Sequence, residues 1–87
     1  MNLYYMVKNG SLKLNQTFYR RGDSWIDILR ISEITKNNFC VLQLIDCQDY
    51  IAGSEYGPFQ IYQLALGWEN YKLIDDEELN ELKGEIL

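Results

Sequence analysis

Apolar and polar positions alternate through the first part of the chain. Leu3, Tyr5 and Val7 share one parity before Asn9-Gly10, and Leu12 and Leu14 continue it afterwards. Asn-Gly between alternating segments is the strongest short-range hairpin signal, so the pattern predicts strands over 3–8 and 11–19 with Val7 opposite Leu12 and Tyr5 opposite Leu14. The outer face of that hairpin then carries Tyr4, Met6, Lys8, Lys13, Asn15, Thr17 and Tyr19.

Gly22-Asp23 is a good turn pair flanked by two strand-like stretches, which makes YRRGDSW a strand, a bend and a strand. In SWIDILRISEI the apolar parity changes, with Ile26 and Ile28 on one face and Leu29 and Ile31 on the other. A bulge near Ile28 and Leu29 accounts for this, and so does burial on both faces. Thr35 to Asn38 reads as a turn and FCVLQLID as the next strand, with Tyr50 and Ile51 extending the sheet before a loop, AGSEYGP.

PFQIYQLALG begins with Pro and ends with Gly, the punctuation of one or two helical turns, although Phe59, Ile61 and Ala65 also alternate like a strand. Trp68 to Ile74 reads as the last strand. Asp75 then caps a helix, Glu78 completes a capping box, Ile74 staples onto Leu79, and Leu79, Leu82 and Ile86 form an apolar stripe that docks on the sheet. The expected fold is α+β: a single domain, 1–87, with a small antiparallel sheet of about five strands, either open or curled into a partly open SH3-like barrel. A C-terminal helix covers it, and one short helix precedes the last strand.

Composition narrows the chemistry. The 87 residues contain no histidine, which removes Ser-His and Cys-His pairs, the side chain that titrates near neutrality, and the commonest transition-metal ligand. Neither a GxGxxG nor a Walker loop is present, so no cofactor and no metal site is expected. The carboxylate pairs Asp23 with Asp27, and Asp46 with Asp49, sit beside predicted turns where Asp is common anyway. These absences favour a binding protein over an enzyme.

Cys40 and Cys47, seven residues apart, stand about 23 Å apart on opposite faces if their segment is extended, too far for a disulfide. Asp46 and Asp49 are expected to raise the Cys47 thiol. Two lone thiols, no membrane-length apolar run and no secretory start make the chain read as a complete cytoplasmic product that does not act on a membrane. That context also speaks against Arg21-Gly22-Asp23-Ser24 as an integrin signal.

The formal net charge of −5 hides a separation. Residues 1–36 hold six basic and three acidic side chains, a formal +3, and residues 37–87 hold two basic and ten acidic ones, a formal −8. Asp75 to Glu78 suit the first turn of a helix, where the macrodipole favours negative charge. Glu77, Glu81 and Glu85, at i, i+4 and i+8, form a stripe opposite the apolar one. It is either a solvated face or a docking surface for a protein partner with a basic surface, such as one that handles nucleic acid. Tyr56 and Phe59 are candidate aromatic anchors for such a contact. The alternative is single-stranded nucleic-acid binding through the basic and aromatic residues Tyr4, Lys8, Lys13, Tyr19, Arg20, Arg21 and Trp25. In size and charge alone the chain resembles small phage or mobile-element inhibitors of host enzymes, the anti-CRISPR inhibitors among them, a resemblance that transfers no site.

Overall fold

The segment Ile26–Ile34 organises the molecule because side chains on both of its faces are buried: Ile28 on one, Asp27, Leu29 and Ile31 on the other. The structure is a computed structural model that describes residues 1–86, the Ile86 side chain excepted. Helix α1 (Leu3–Asn9) leads into strands β1 (Thr17–Arg21), β2 (Ile26–Ile34), β3 (Asn38–Gln43) and β4 (Glu55–Gln60). Two 3₁₀ turns, Ile61–Gln63 and Leu66–Asn70, precede strand β5 (Lys72–Ile74) and helix α2 (Asp76–Ile86). The sheet is antiparallel with strand order β4-β3-β2-β1-β5.

This is the expected α+β class with a five-stranded antiparallel sheet and a C-terminal helix; the sheet is not closed into a barrel, so of the forms considered it is the open one. Its ends, β4 and β5, lie at opposite edges, and helices or turns cover parts of both faces. α2 packs on one face, where Leu79 and Leu82 join Ile28 and Ile74. On the other face Leu3, Met6 and Val7 of α1 meet Phe18, Leu29, Ile31, Phe39, Val41 and Tyr71, with Leu64 and Trp68 packed against them. Each fully buried Phe, Leu or Ile here contributes about 1.5–3 kcal/mol. The stripe's Leu79 and Leu82 dock as expected; the Ile86 side chain lies outside the described residues.

The N-terminal hairpin is the largest correction. Residues 3–9 are helical because Leu3, Met6 and Val7 fall at i, i+3 and i+4 and bury together, leaving Tyr5 exposed. Asn2 Oδ1 accepts the Tyr5 amide at 2.8 Å as the N-cap. Gly10, at φ 76°, ends the helix in the left-handed region, so Asn9-Gly10 is a helix stop rather than a hairpin turn. Residues 11–16 form a loop, and β1 begins only at Thr17.

Other differences are local. The bulge in β2 falls between Ile31 and Glu33, and double-sided burial explains the parity change at Ile28 and Leu29. Much of AGSEYGP is strand: β4 pairs with β3, and Pro58, in a cis peptide with Gly57, is tolerated because β4 is an edge. Tyr50 makes only an isolated bridge to Cys47 and does not extend the sheet. Of residues 58–67, expected as helical turns, 58–60 belong to β4 and Ile61–Gln63 form a 3₁₀ turn, while the second turn, Leu66–Asn70, takes up the start of the expected last strand and confines β5 to three residues. The N-terminus shields the outer edge of β5, with the Leu3 amide on Tyr71 O at 2.8 Å and the Leu73 amide on Met1 O at 2.9 Å.

α2 begins as read. Asp75 Oδ1 accepts the Glu78 amide at 2.8 Å, and Ile74 and Leu79 share one cluster. Among the described residues no helix is long and apolar enough to cross a membrane.

Candidate functional site

Register decides which charged residue is buried. Arg20 pairs across β1 and β2 with Asp27, and Asp27 shares a face with Leu29 and Ile31, so an acid is carried into the core side of the sheet. Asp27 is 1% exposed. It is satisfied from three directions: Arg20 Nε donates at 3.2 Å and the Tyr71 hydroxyl at 2.6 Å to Oδ2, while Gln43 Nε2 donates to Oδ1. Gln43 Nε2 also donates to Ile45 O at 3.1 Å. Two acceptors on one amide nitrogen fix the orientation of the Gln43 side chain.

The network changes the titration of its members. Burial pushes the Tyr71 phenol up, well beyond the usual tyrosine range, and the hydrogen bond to and charge of Asp27 add to it. Burial disfavours the Arg20 cation, but Tyr71 and Asp27 outweigh that and leave it more basic than an ordinary arginine. The Arg20 guanidinium lies 4.9 Å from the Tyr71 ring centroid and 5.0 Å from that of Trp25, within cation–π reach of both.

Over this network lies a cavity of about 260 Å³. Its walls are aromatic: Tyr50, Tyr56, Phe59, Trp68 and Tyr71. Phe59 and Trp68 meet edge to face at 4.9 Å, Tyr50 and Tyr56 at 5.1 Å, which holds the rings in fixed relative orientation. Arg20 and Gln43 supply polar lining, and Ala65 and Gly67 of the 65–70 segment form part of the rim. The wall residue Tyr50 is exposed, as is Leu66, which lies in sequence between the lining residues Ala65 and Gly67. Apolar walls with a few fixed polar groups are the usual construction of a binding pocket.

The residues singled out from sequence are dispersed. Tyr56 lies in the cavity and its hydroxyl accepts the Ile51 amide at 3.1 Å. Glu77, Glu81 and Glu85 are exposed on α2, over the opposite face of the sheet, so Tyr56 and the acidic stripe do not form one site. Glu85 is engaged by Arg21 Nη2 at 3.2 Å. Of the nucleic-acid set, Tyr4 and Lys8 sit on α1, where the Lys8 ammonium lies 5.5 Å from the Tyr4 ring centroid. Lys13 is in the loop after α1. Arg20 and Tyr19 point to opposite faces of β1, and Arg20 and Arg21 are each paired with an acid. The hairpin face expected to carry Tyr4, Lys8, Lys13 and Tyr19, with Arg20, Arg21 and Trp25 nearby, does not exist.

Sequence reading took Asp27 for a carboxylate beside a turn and did not single out Gln43. The available signal was parity: Asp27 shares a face with Leu29 and Ile31, and Gln43 with Phe39 and Val41, so each polar residue stands where its strand points inward. Asp27 lies in a strand, not beside a turn.

Cys40 and Cys47 are free and buried. Burial, then Glu33 and Glu55, raise the Cys40 thiol; burial, then Asp27, raise Cys47, opposed by Arg20. The expected influence of Asp46 and Asp49 on Cys47 is replaced by that of Asp27. Ligand atoms of Glu33, Cys40 and Glu55 lie within 4.8 Å of one another, a grouping that sequence spacing did not suggest. Glu33 and Glu55 are exposed, acidic groups of this kind are common without a metal, and Glu55 already accepts the Ser32 hydroxyl at 2.7 Å. In the RGDS turn, Gly22 is covered by the Trp25 indole, leaving no room for a Cβ.

The chain matches no protein-family model, no curated protein and no solved structure.

Proposed function

We propose that the protein is a non-enzymatic protein-interaction domain that holds an anchoring side chain of its partner in the aromatic cavity above Asp27. The observation that supports this reading most is the cavity itself: five aromatic residues, the exposed Tyr50 among them, around Arg20 and Gln43. Binding energy at protein interfaces concentrates in a few well-packed, desolvated pockets of this kind. A cytoplasm suits the two free thiols.

A second surface has its own support. Glu77 and Glu81 are exposed and make no ion pair among the described residues, so they remain available to a basic partner surface. An acidic inhibitor that covers a nucleic-acid-handling surface of a host protein would use this side. Single-stranded nucleic-acid binding is the weaker reading, because its seven residues are spread over α1, the following loop, both faces of β1 and the 22–25 turn.

Affinity capture from source-cell lysate with three baits tests these readings. Ala65→Trp obstructs the rim of the cavity, and Glu77→Lys with Glu81→Lys reverses the stripe. A protein retained by the wild type and lost with Ala65→Trp is expected. The same set on wild-type and Ala65→Trp baits overturns the pocket reading, and loss only on the charge-reversed bait moves the function to α2.

A further inference from the structure

The polar floor of the cavity is more specific than its walls. Gln43 is 3% exposed, and both hydrogens of its Nε2 are committed, to Asp27 Oδ1 and Ile45 O. Its Oε1 therefore has to find a donor elsewhere, and among the described residues it accepts none. No buried side-chain oxygen or nitrogen of the described residues is both shut away and unpaired, so this oxygen reaches open space, and Gln43 lines the cavity. An acceptor fixed by two bonds from its own amide nitrogen is thus presented to whatever enters.

Arg20 complements it. Its Nε is held by Asp27 Oδ2, while its two terminal nitrogens make no hydrogen bond among the described residues. One carboxylate thus holds a donor group by one oxygen and an acceptor group by the other. What occupies the cavity must fill an aromatic box and offer both an acceptor and a donor at its tip.

Resting on the pocket reading above, we infer that the anchoring side chain is a tyrosine of the partner, whose phenol oxygen accepts from Arg20 and donates to Gln43 Oε1. Histidine, asparagine and glutamine also donate and accept, but from separate atoms rather than from one tip, and the amides do not fill an aromatic box. Phenylalanine would cover both floor groups without pairing either, which costs the full desolvation of each. The tryptophan indole donates only, leaving Arg20 unanswered, and a carboxylate accepts only, meeting Gln43 Oε1 with no hydrogen. Lysine and arginine also only donate, and they would approach the Arg20 cation. Serine and threonine carry the right hydroxyl but leave the aromatic walls unfilled.

The test uses the whole ¹⁵N-labelled protein and three probes, N-acetyl-L-tyrosinamide, its phenylalanine analogue and its tryptophan analogue, with uridine as a fourth. The tyrosine probe is expected to saturate shifts of the Trp68 indole and Gln43 side-chain amide signals with a dissociation constant on the order of millimolar. The phenylalanine and tryptophan probes are expected to bind at least ~10-fold more weakly. Ala65→Trp should abolish the shifts while the rest of the spectrum stays folded. Gln43→Met should erase the preference for tyrosine; if that variant does not fold, probe selectivity on the wild type still decides.

Equal binding of the phenylalanine probe, tighter binding of uridine, shifts that persist in Ala65→Trp, or no saturable binding by the tyrosine probe each overturn the inference. Binding of another side-chain probe at the same signals overturns only the tyrosine assignment and leaves the pocket reading standing. The pocket reading fails separately, on the lysate comparison.

Discussion

The Tyr71 hydroxyl donates to Asp27 Oδ2 at 2.6 Å across 44 positions of sequence, tying the segment before β5 to the buried part of β2. Hydrogen bonds to charged groups contribute about 1.5–3 kcal/mol, so this one contact is a sizeable share of the stability of a domain this small. It also closes the floor of the cavity, since both residues that carry its polar chemistry, Arg20 and Gln43, are held by the same carboxylate.

The raised Tyr71 phenol makes alkaline stability a readout of that contact. A tyrosine in the unfolded chain ionises near pH 10. The fold favours the neutral phenol, so its contribution is complete below about pH 10 and is lost as pH rises toward the higher folded value. Urea unfolding from pH 8 to 12 should show a falling limb above about pH 10. Tyr71→Phe should cost about 2 kcal/mol at pH 7 and make that limb shallower. Parallel limbs in the two proteins would contradict the assignment.

Asp27→Asn preserves volume but turns an amide nitrogen toward at least one of Arg20, Tyr71 and Gln43, all of which donate. Removing the charge from a buried pair costs about 3–5 kcal/mol because the partner is left uncompensated. The expected loss is at the lower end of that range, since Arg20 remains partly exposed. Because the pair is partly buried, the loss should change little between 0.05 and 1 M salt. A loss that disappears at high salt would show that Arg20 and Asp27 interact as a surface pair.

Gly22 lies under the Trp25 indole, which leaves no room for a Cβ. Gly22→Ala should displace the indole, shift Trp25 emission to the red and weaken its contact with Arg20, at about 1 kcal/mol in stability. A Trp68→Phe background, with Trp25 then the only indole, isolates the signal. Unchanged emission would mean that Trp25 does not rest on this turn in solution.

Much of the sheet was legible because β2 and β3 are short runs rich in β-branched and aromatic residues, bounded by turns that carry Gly-Asp or Asn-Asn. α2 was legible because capping Asp75 and the Leu79 and Leu82 spacing agree. The N-terminus was not, for a physical reason. A type I′ hairpin and a left-handed helix stop both ask for Asn-Gly, and the adjacent Tyr4 and Tyr5 let residues 3–7 satisfy a period of two as well as 3.6. Tyr56 was singled out from the sequence and does line the cavity, but the cavity is assembled from residues that include 20, 43, 56, 68 and 71, and no local spacing encodes that meeting.

The helix at the N-terminus has its own test. Gly10→Ala forces a Cβ into φ 76° and should cost about 1 kcal/mol, and Asn2→Ala should cost a similar amount by removing the acceptor of the Tyr5 amide. Amide exchange over residues 5–9 should accelerate in both variants. In a hairpin, Asn2→Ala would leave those amides untouched.

The acidic stripe of α2 contains two electrostatically different positions. Glu85 and Arg21 lie 3.2 Å apart with side chains about half exposed, 59% and 54%, a pair worth about 0.2–1 kcal/mol. Among the described residues Glu81 has no cationic partner, and it stands between Glu77 and Glu85, each repelling it by a few tenths of a kcal/mol. Glu81→Lys removes two repulsions and creates two attractions, so it should stabilise by about 0.5–1 kcal/mol at low salt. Glu85→Lys also removes a repulsion and places a cation near the helix C-terminus, which is favourable, but it discards the contact with Arg21 and sets two cations together. Its net effect should be near zero. Thermal unfolding in 10 mM salt should therefore rank Glu81→Lys above both the wild type and Glu85→Lys, and the three should converge at 1 M salt as screening removes the differences. The opposite order would mean that Arg21 is not held by Glu85 in solution and remains free to join a basic surface on the β1 side.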